Sequence, residues 1–362
     1  MTRRFCTSFA SFIAIACFTA CDSTPDSVDA PHWKVVYDGD YLQTTMKIPG
    51  ALLSAWGTSD SDMWIVGGTQ EATPASSPIL MHWSGGKWTN YQISTLKGTF
   101  WWVSSGDSGT VWMAGTGGHV IHYDPAANSF KAFTMPSDAQ LWGIVSFSAN
   151  DAWAVGGDAI NCGNNATCGA IWHFDGTSWG APTNLPSGWD KNAWFKVFGR
   201  GPKDLFICGL NGHILHWNGS VWTDEAVSTG KLLTGSCNGK LCVVVGGDVK
   251  GSIFEHDGTS WSNKTPASGV DGLNGVFVNS DGSAIAVGYA NLSHGIWLRG
   301  TDGIWSADSD APEVTQPYHA VFVDTEGGAW AVGGNIVGQP FSSAQLIHRG
   351  TNLIAKPVPS VP

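Results

Sequence analysis

The stretch that decides the fold runs Asp151-Ala152-Trp153-Ala154-Val155-Gly156-Gly157, then Ala170-Ile171-Trp172-His173-Phe174-Asp175-Gly176, then Trp179. Alternating apolar positions closed by glycine read as a half-buried strand. The second run reads as its neighbour, and Asp-Gly supplies the positive φ that a tight hairpin needs. The unit recurs seven times, anchored on the glycine that ends its first run: Val66-Gly67, Ala114-Gly115, Val155-Gly156, Cys208-Gly209, Val245-Gly246, Val287-Gly288 and Val332-Gly333. The spacings of 48, 41, 53, 37, 42 and 45 residues average about 44, within the range of roughly 40 to 50 of four-stranded propeller blades. Three residues before each glycine stands Trp64, Trp112, Trp153, Phe206, Val243, Ile285 or Trp330. A further strand precedes each anchor, as in Leu53 to Trp56 or Trp194 to Phe198, and a fourth begins near Trp88, Trp179, Trp222 or Trp261.

Four strands per unit and no helical periodicity predict an all-β, seven-bladed β-propeller of antiparallel blades over residues 32–362, in which neighbouring blades bury one another's faces. Residues 33–46 look like strands three and four of a blade lacking its first two. The seventh unit has its own third strand, 345–349, and a weak fourth, 352–358. An N-terminal strand is therefore expected to close the ring in the last blade, with an eight-bladed or open ring as the competing count. Composition agrees: 47 glycines and 20 tryptophans in 362 residues, with only 13% charged against about 25% in ordinary domains, describe a turn-rich globular chain without long solvated helices. Its net charge of −11 and lack of a basic stripe exclude a nucleic-acid partner.

The N-terminus is a separate object: Arg3 and Arg4, an apolar stretch from Phe9 to Ala20, then Cys21 and a polar run. This is the order of an export signal, and its apolar part is too short to span a bilayer as a helix. Phe18-Thr19-Ala20-Cys21 resembles a bacterial lipobox, with Ala14-Ile15-Ala16 as a competing site for an ordinary signal peptidase. The resemblance implies a signal peptide over 1–20, lipidation of Cys21, a tether over 21–31, and a membrane-anchored lipoprotein of the cell envelope facing the periplasm or cell surface. Without Arg3 and Arg4 the balance is 16 basic against 29 acidic residues, −13. Cysteine usage fits export: Cys162 and Cys168, and Cys237 and Cys242, bracket short turn-forming segments and predict two local disulfides. Their spacings do not match zinc knuckles. Cys208 falls in a strand slot held elsewhere by Val or Ala and reads as a buried thiol.

Ser105-Gly106-Asp107-Ser108-Gly109-Thr110-Val111-Trp112 resembles an Asp-box, the hairpin of sialidase-type propellers and their non-enzymatic relatives, with degenerate copies at 59–64, 150–153 and 324–330. The whole repeat, over 32–358, resembles secreted bacterial propeller repeats of the BNR and photosystem II assembly factor-like group. The resemblance speaks for fold and hardly for chemistry. Sialidase activity would need three arginines converging on the ring centre. Beyond the leader the chain has only Arg200, Arg299 and Arg349, at repeat positions that do not converge. His82, His122, His173, His216 and His348 recur at one repeat position in five blades and so cannot share a metal. No cofactor or metal is expected.

Function should be grafted where the chain departs from its repeat. Loops joining strands two and three emerge on the same face as those joining consecutive blades. The long ones, 68–78, 157–169, 183–193, 306–317 and 334–343, are expected to form a raised acidic rim. Trp189, Asp190, Asn192 and Trp194 cluster there as a candidate ligand site. The functional reading is a non-catalytic binding or scaffolding propeller for an envelope protein or glycan. The alternative is a carbohydrate-active enzyme, a glycosidase or lyase, whose acids would come from loop residues such as Asp190, Asp308, Asp310 and Glu313.

Overall fold

The computed structural model describes residues 31–350 except 39–47, 60, 70–77, 94, 107–108, 161, 163–167, 229, 290–294 and 314. The expected leader, Cys21, most of the tether, Asp107, the strand at 41–46 and the weak strand at 352–358 lie outside the described residues. Seven four-stranded antiparallel sheets form seven blades. Their first strands are Ala51–Ser59, Phe100–Ser104, Leu141–Ser148, Trp194–Gly201, Leu232–Asn238, Leu273–Val278 and Tyr318–Val323, and neighbouring first strands touch around the ring. Blades 1 to 6 take their four strands consecutively. Blade 7 takes three, Tyr318–Val323, Ala329–Asn335 and Ser342–Gly350, and is completed on its outer edge by His32–Asp38.

The N-terminal strand thus closes the ring as expected, but as the fourth strand of blade 7, not as strand three of a partial blade. It pairs antiparallel with Ser342–Gly350, Trp33 opposite Arg349 and Asp38 opposite Gln345. The reason is visible in the side chains. The Trp33 indole donates to Asp308 (2.8 Å), its amide donates to Asp310 (3.1 Å), and the ring is buried against Ile285, Val287 and Tyr318.

Every blade seam holds one apolar cluster, such as Trp64, Val66, Phe100 and Met113 between blades 1 and 2, or Trp153, Val155, Trp194 and Ile207 between blades 3 and 4. The anchor glycines explain the repeat. At all seven, an added Cβ would collide with a carbonyl oxygen near the start of the same blade's first strand, from Ala51 in blade 1 to Pro317 in blade 7. From blade 2 onward, the residue after the anchor donates to that same carbonyl, as Thr116 does to Thr99 (2.9 Å) and Gly157 to Gln140 (2.9 Å). Only glycine permits this approach of two backbones.

The two expected disulfides are formed. Cys162–Cys168 closes the blade 3 loop and Cys237–Cys242 joins directly opposed residues of the blade 5 hairpin. Cys208 is a fully buried thiol whose titration burial pushes up to about 12.

Candidate functional site

Just past that close approach, each first strand bulges. The pairing register slips between Leu52 and Ser54, Phe100 and Trp102, Leu141 and Gly143, Trp194 and Lys196, Leu232 and Thr234, Leu273 and Gly275, and Tyr318 and Ala320. A bulge inserts one unpaired residue and re-aims its side chain. The inserted residues are Leu53, Trp101, Trp142, Phe195, Leu233, Asn274 and His319, and all seven line one cavity of about 390 Å³ at the centre of the ring, on the loop face. Blades 1 to 5 contribute an apolar and aromatic arc. Blades 6 and 7 contribute polar groups: Asn274 Nδ2 donates to the Tyr318 carbonyl (2.9 Å) and His319 Nε2 to the Gly334 carbonyl (2.8 Å). Burial pushes His319 down to about 4, so near neutral pH the ring is uncharged and Nδ1 is an acceptor. With its amide oxygen turned toward them, Gln140 accepts from the indole N–H groups of Trp142 and Trp101 and holds both rings.

The loops of this face carry single exposed apolar side chains beside charged ones such as Lys231 and Asp248. The three most exposed large hydrophobic residues described, Ile160 (91%), Val337 (87%) and Val249 (73%), all lie in loops joining second to third strands. Ile160 and Ile336 also line the cavity. The expected acidic rim does not extend to the opening: its described lining carries one carboxylate, Asp248, ion-paired to Lys231 (2.7 Å), beside a second lysine, Lys196.

The residues singled out from sequence fall mainly into supporting roles. Trp194 is 1% exposed in the seam of blades 3 and 4, its indole donating to the Trp189 carbonyl (3.0 Å). Asn192 is buried, and its Nδ2 donates to the Leu210 carbonyl (3.3 Å). Asp190 accepts through its carbonyl from the Cys168 amide (2.7 Å), tying the disulfide loop to blade 4. Of the four, Trp189 and Asp190 keep partial exposure, and none lines the central cavity. In the Asp-box-like segment, Ser105 and Gly109 sit in the turn before Val111–Gly115, and Trp112 is fully buried, stacked on His122. The degenerate copy in blade 7 shows the turn's logic. Asp324 Oδ1 accepts from the amides of Glu326 (2.9 Å) and Gly328 (2.8 Å), and Oδ2 from the Trp330 indole (3.4 Å).

The five repeated histidines each stack on the aromatic residue opposite: Trp64–His82, Trp112–His122, Trp153–His173, Phe206–His216 and Trp330–His348. His82, His173 and His216 also bond Asp62, Asp151 and Asp204. Arg200 pairs with Asp204 (2.9 Å) and Arg299 with buried Glu255 (2.8 Å), whereas Arg349 lies in a third strand. None of the three arginines lines the cavity. Asp308 and Asp310 hold the N-terminal strand.

No protein-family model matches the chain, and no curated protein matches it. Solved structures do. The structure of YCF48 bound to D1 peptide superposes with a TM-score of 0.61 at 14% identity, covering 90% of this chain and 98% of that one. YCF48 from Cyanidioschyzon merolae gives 0.60 at 13%, covering 89% and 100%. The WD40 repeats of RRP9 give 0.63 at 12%, covering 89% and 99%. At such identities the likeness is one of fold, and it defines the chain as a seven-bladed β-propeller.

Proposed function

We propose that this chain is an exported, lipid-anchored, non-catalytic β-propeller that binds a protein partner at the central opening of its loop face. The observation that carries the reading is the aromatic funnel at the centre of the loop face, whose second-to-third-strand loops also hold the three most exposed large apolar side chains described, since a concave, mostly apolar pocket with a few polar groups marks a binding site. That one structural neighbour, YCF48, is bound to a D1 peptide supports a peptide segment over a glycan as the ligand. The described lining, with Asp248 as its single carboxylate, lacks the paired acids of glycoside cleavage. The envelope location rests on the leader and lipobox resemblance.

The test is site-specific photocrosslinking in the native membrane. A photoreactive residue at position 160 or 337 should capture one partner that the same probe at Val221, exposed on a turn between third and fourth strands, does not. Equal capture from both faces, or capture of glycan alone, overturns the reading. Mass spectrometry of the mature N-terminus should find a diacylglyceryl Cys21; an unmodified N-terminus after cleavage elsewhere overturns the anchor.

A further inference from the structure

One position after the bulged ring, the first strands carry a second ring: Ser54, Trp102, Gly143, Lys196, Thr234, Gly275 and Ala320. Five blades place small residues there. Two do not, and their side chains meet: Lys196 Nζ lies 3.2 Å from the centre of the Trp102 ring. These two residues line both the funnel and a second cavity of about 180 Å³ deeper in the channel, so their contact forms the floor of the funnel. Lys196 is 5% exposed, and its one hydrogen bond among the described residues is to the Trp142 carbonyl (2.8 Å). No described carboxylate lies within ion-pairing distance of it. A buried ammonium with one carbonyl and one π face is far from satisfied, because it has three donors and no counter-charge. Burial accordingly holds Lys196 well below the ordinary lysine range.

We propose that Lys196 is the receptor for the C-terminal carboxylate of the partner's chain, entering the aromatic funnel end-first. The inference rests on the peptide-binding reading above and makes it specific. A carboxylate brought to Nζ favours the charged ammonium that burial alone disfavours, the proton being taken up from solvent, and it supplies the missing counter-charge in a dry site where a charge-assisted hydrogen bond is strongest. Trp101, Trp142 and Phe195 flank the approach as surfaces for the last side chains. A chain end, unlike an internal aspartate or glutamate, enters a closed-floored funnel as a single strand. A mid-chain acid would have to bring two strands through the same ring.

The experiment uses the full chain in detergent and three pools of N-acetylated random octapeptides, read by quenching of tryptophan fluorescence. One pool has free C-termini, one has C-terminal amides, and one has amides with a fixed internal glutamate. Free acids should bind about thirtyfold more tightly than either amide pool, the loss expected when one partner of a buried charge pair is removed. Lys196→Met should abolish that preference, bringing free acids and amides to the same affinity. Equal binding of free acids and plain amides would overturn the role of Lys196 but leave the peptide-binding funnel standing. Preferential binding of the internal-glutamate pool would overturn the chain-end assignment. Binding of none would overturn both readings. The free-acid to amide comparison on the unaltered protein decides even if the Met variant does not fold.

Discussion

At position 319 the cavity wall carries a histidine that is 6% exposed and bonded through Nε2 to the Gly334 carbonyl. Burial depresses its titration from 6.5 to about 4. Between those values the unfolded chain takes up a proton that the folded chain refuses, so the stability present above pH 6.5 is lost as pH falls toward 4. The single-group change is up to about 3 kcal/mol. His119 and His256 shift in the same direction through burial, so the contribution of His319 is isolated by comparison with His319→Gln. Urea unfolding midpoints should fall more steeply from pH 7 to 4.5 in the parent than in that variant; parallel curves would refute the burial account. The lowered carboxylates Asp62, Asp175, Asp257 and Asp281 act below this window. The repeat sets His319 in a first strand, apart from the five histidines of the third strands, but it does not show that the side chain faces the channel. Its role depends on a bulge, which is a property of pairing.

At the scale of the element, the recurrent feature is a first strand bent where glycine admits the backbone of its neighbour. The anchor glycines and the tryptophans three residues earlier were legible because a strand exposes alternate residues to opposite faces, and burial imprints that period on composition. The bulge was not legible: Leu52-Leu53, Phe100-Trp101-Trp102 and Leu141-Trp142 place apolar residues in succession, but only the pairing register shows which one is inserted and faces the channel. The candidate cluster at 189–194 drew attention for its aromatic and polar content, yet that content serves to pack a blade seam and hold a loop. The short cysteine pairs were legible because five or six residues of separation can reach only one another. Mapping of non-reduced peptides should recover Cys162–Cys168 and Cys237–Cys242 with Cys208 as free thiol. Replacing Cys162 and Cys168 by serine should cost about 2 kcal/mol, the entropy of so short a loop, measurable by thermal unfolding.

At the scale of the whole molecule, stability depends on closure. Blade 7 lends its outer edge to a strand more than three hundred residues away in sequence, Trp33 opposite Arg349, so the seams between blades 6 and 7 and between 7 and 1 cannot form fully until both ends of the chain arrive. Trp33→Ala should cost about 3 to 5 kcal/mol, the range for deleting a buried aromatic side chain. Asp308→Ala should destabilise in the same direction by leaving the Trp33 indole without its acceptor. Calorimetry showing either variant unfolding like the parent would contradict closure by this strand.

Sequence by itself determined the sevenfold repeat, the order of strands within a unit, the local disulfides and the burial of Cys208, because each is imposed by short-range spacing and by the alternation of buried and exposed positions; that the ring closes with seven blades and not eight came from the structure. Only the tertiary structure decided which strand occupies the outer edge of blade 7, which seven side chains face the channel, and that Lys196 of blade 4 meets Trp102 of blade 2. Those outcomes join residues from separate blades, and a ring brings them together through seam packing that leaves no periodic mark along the chain.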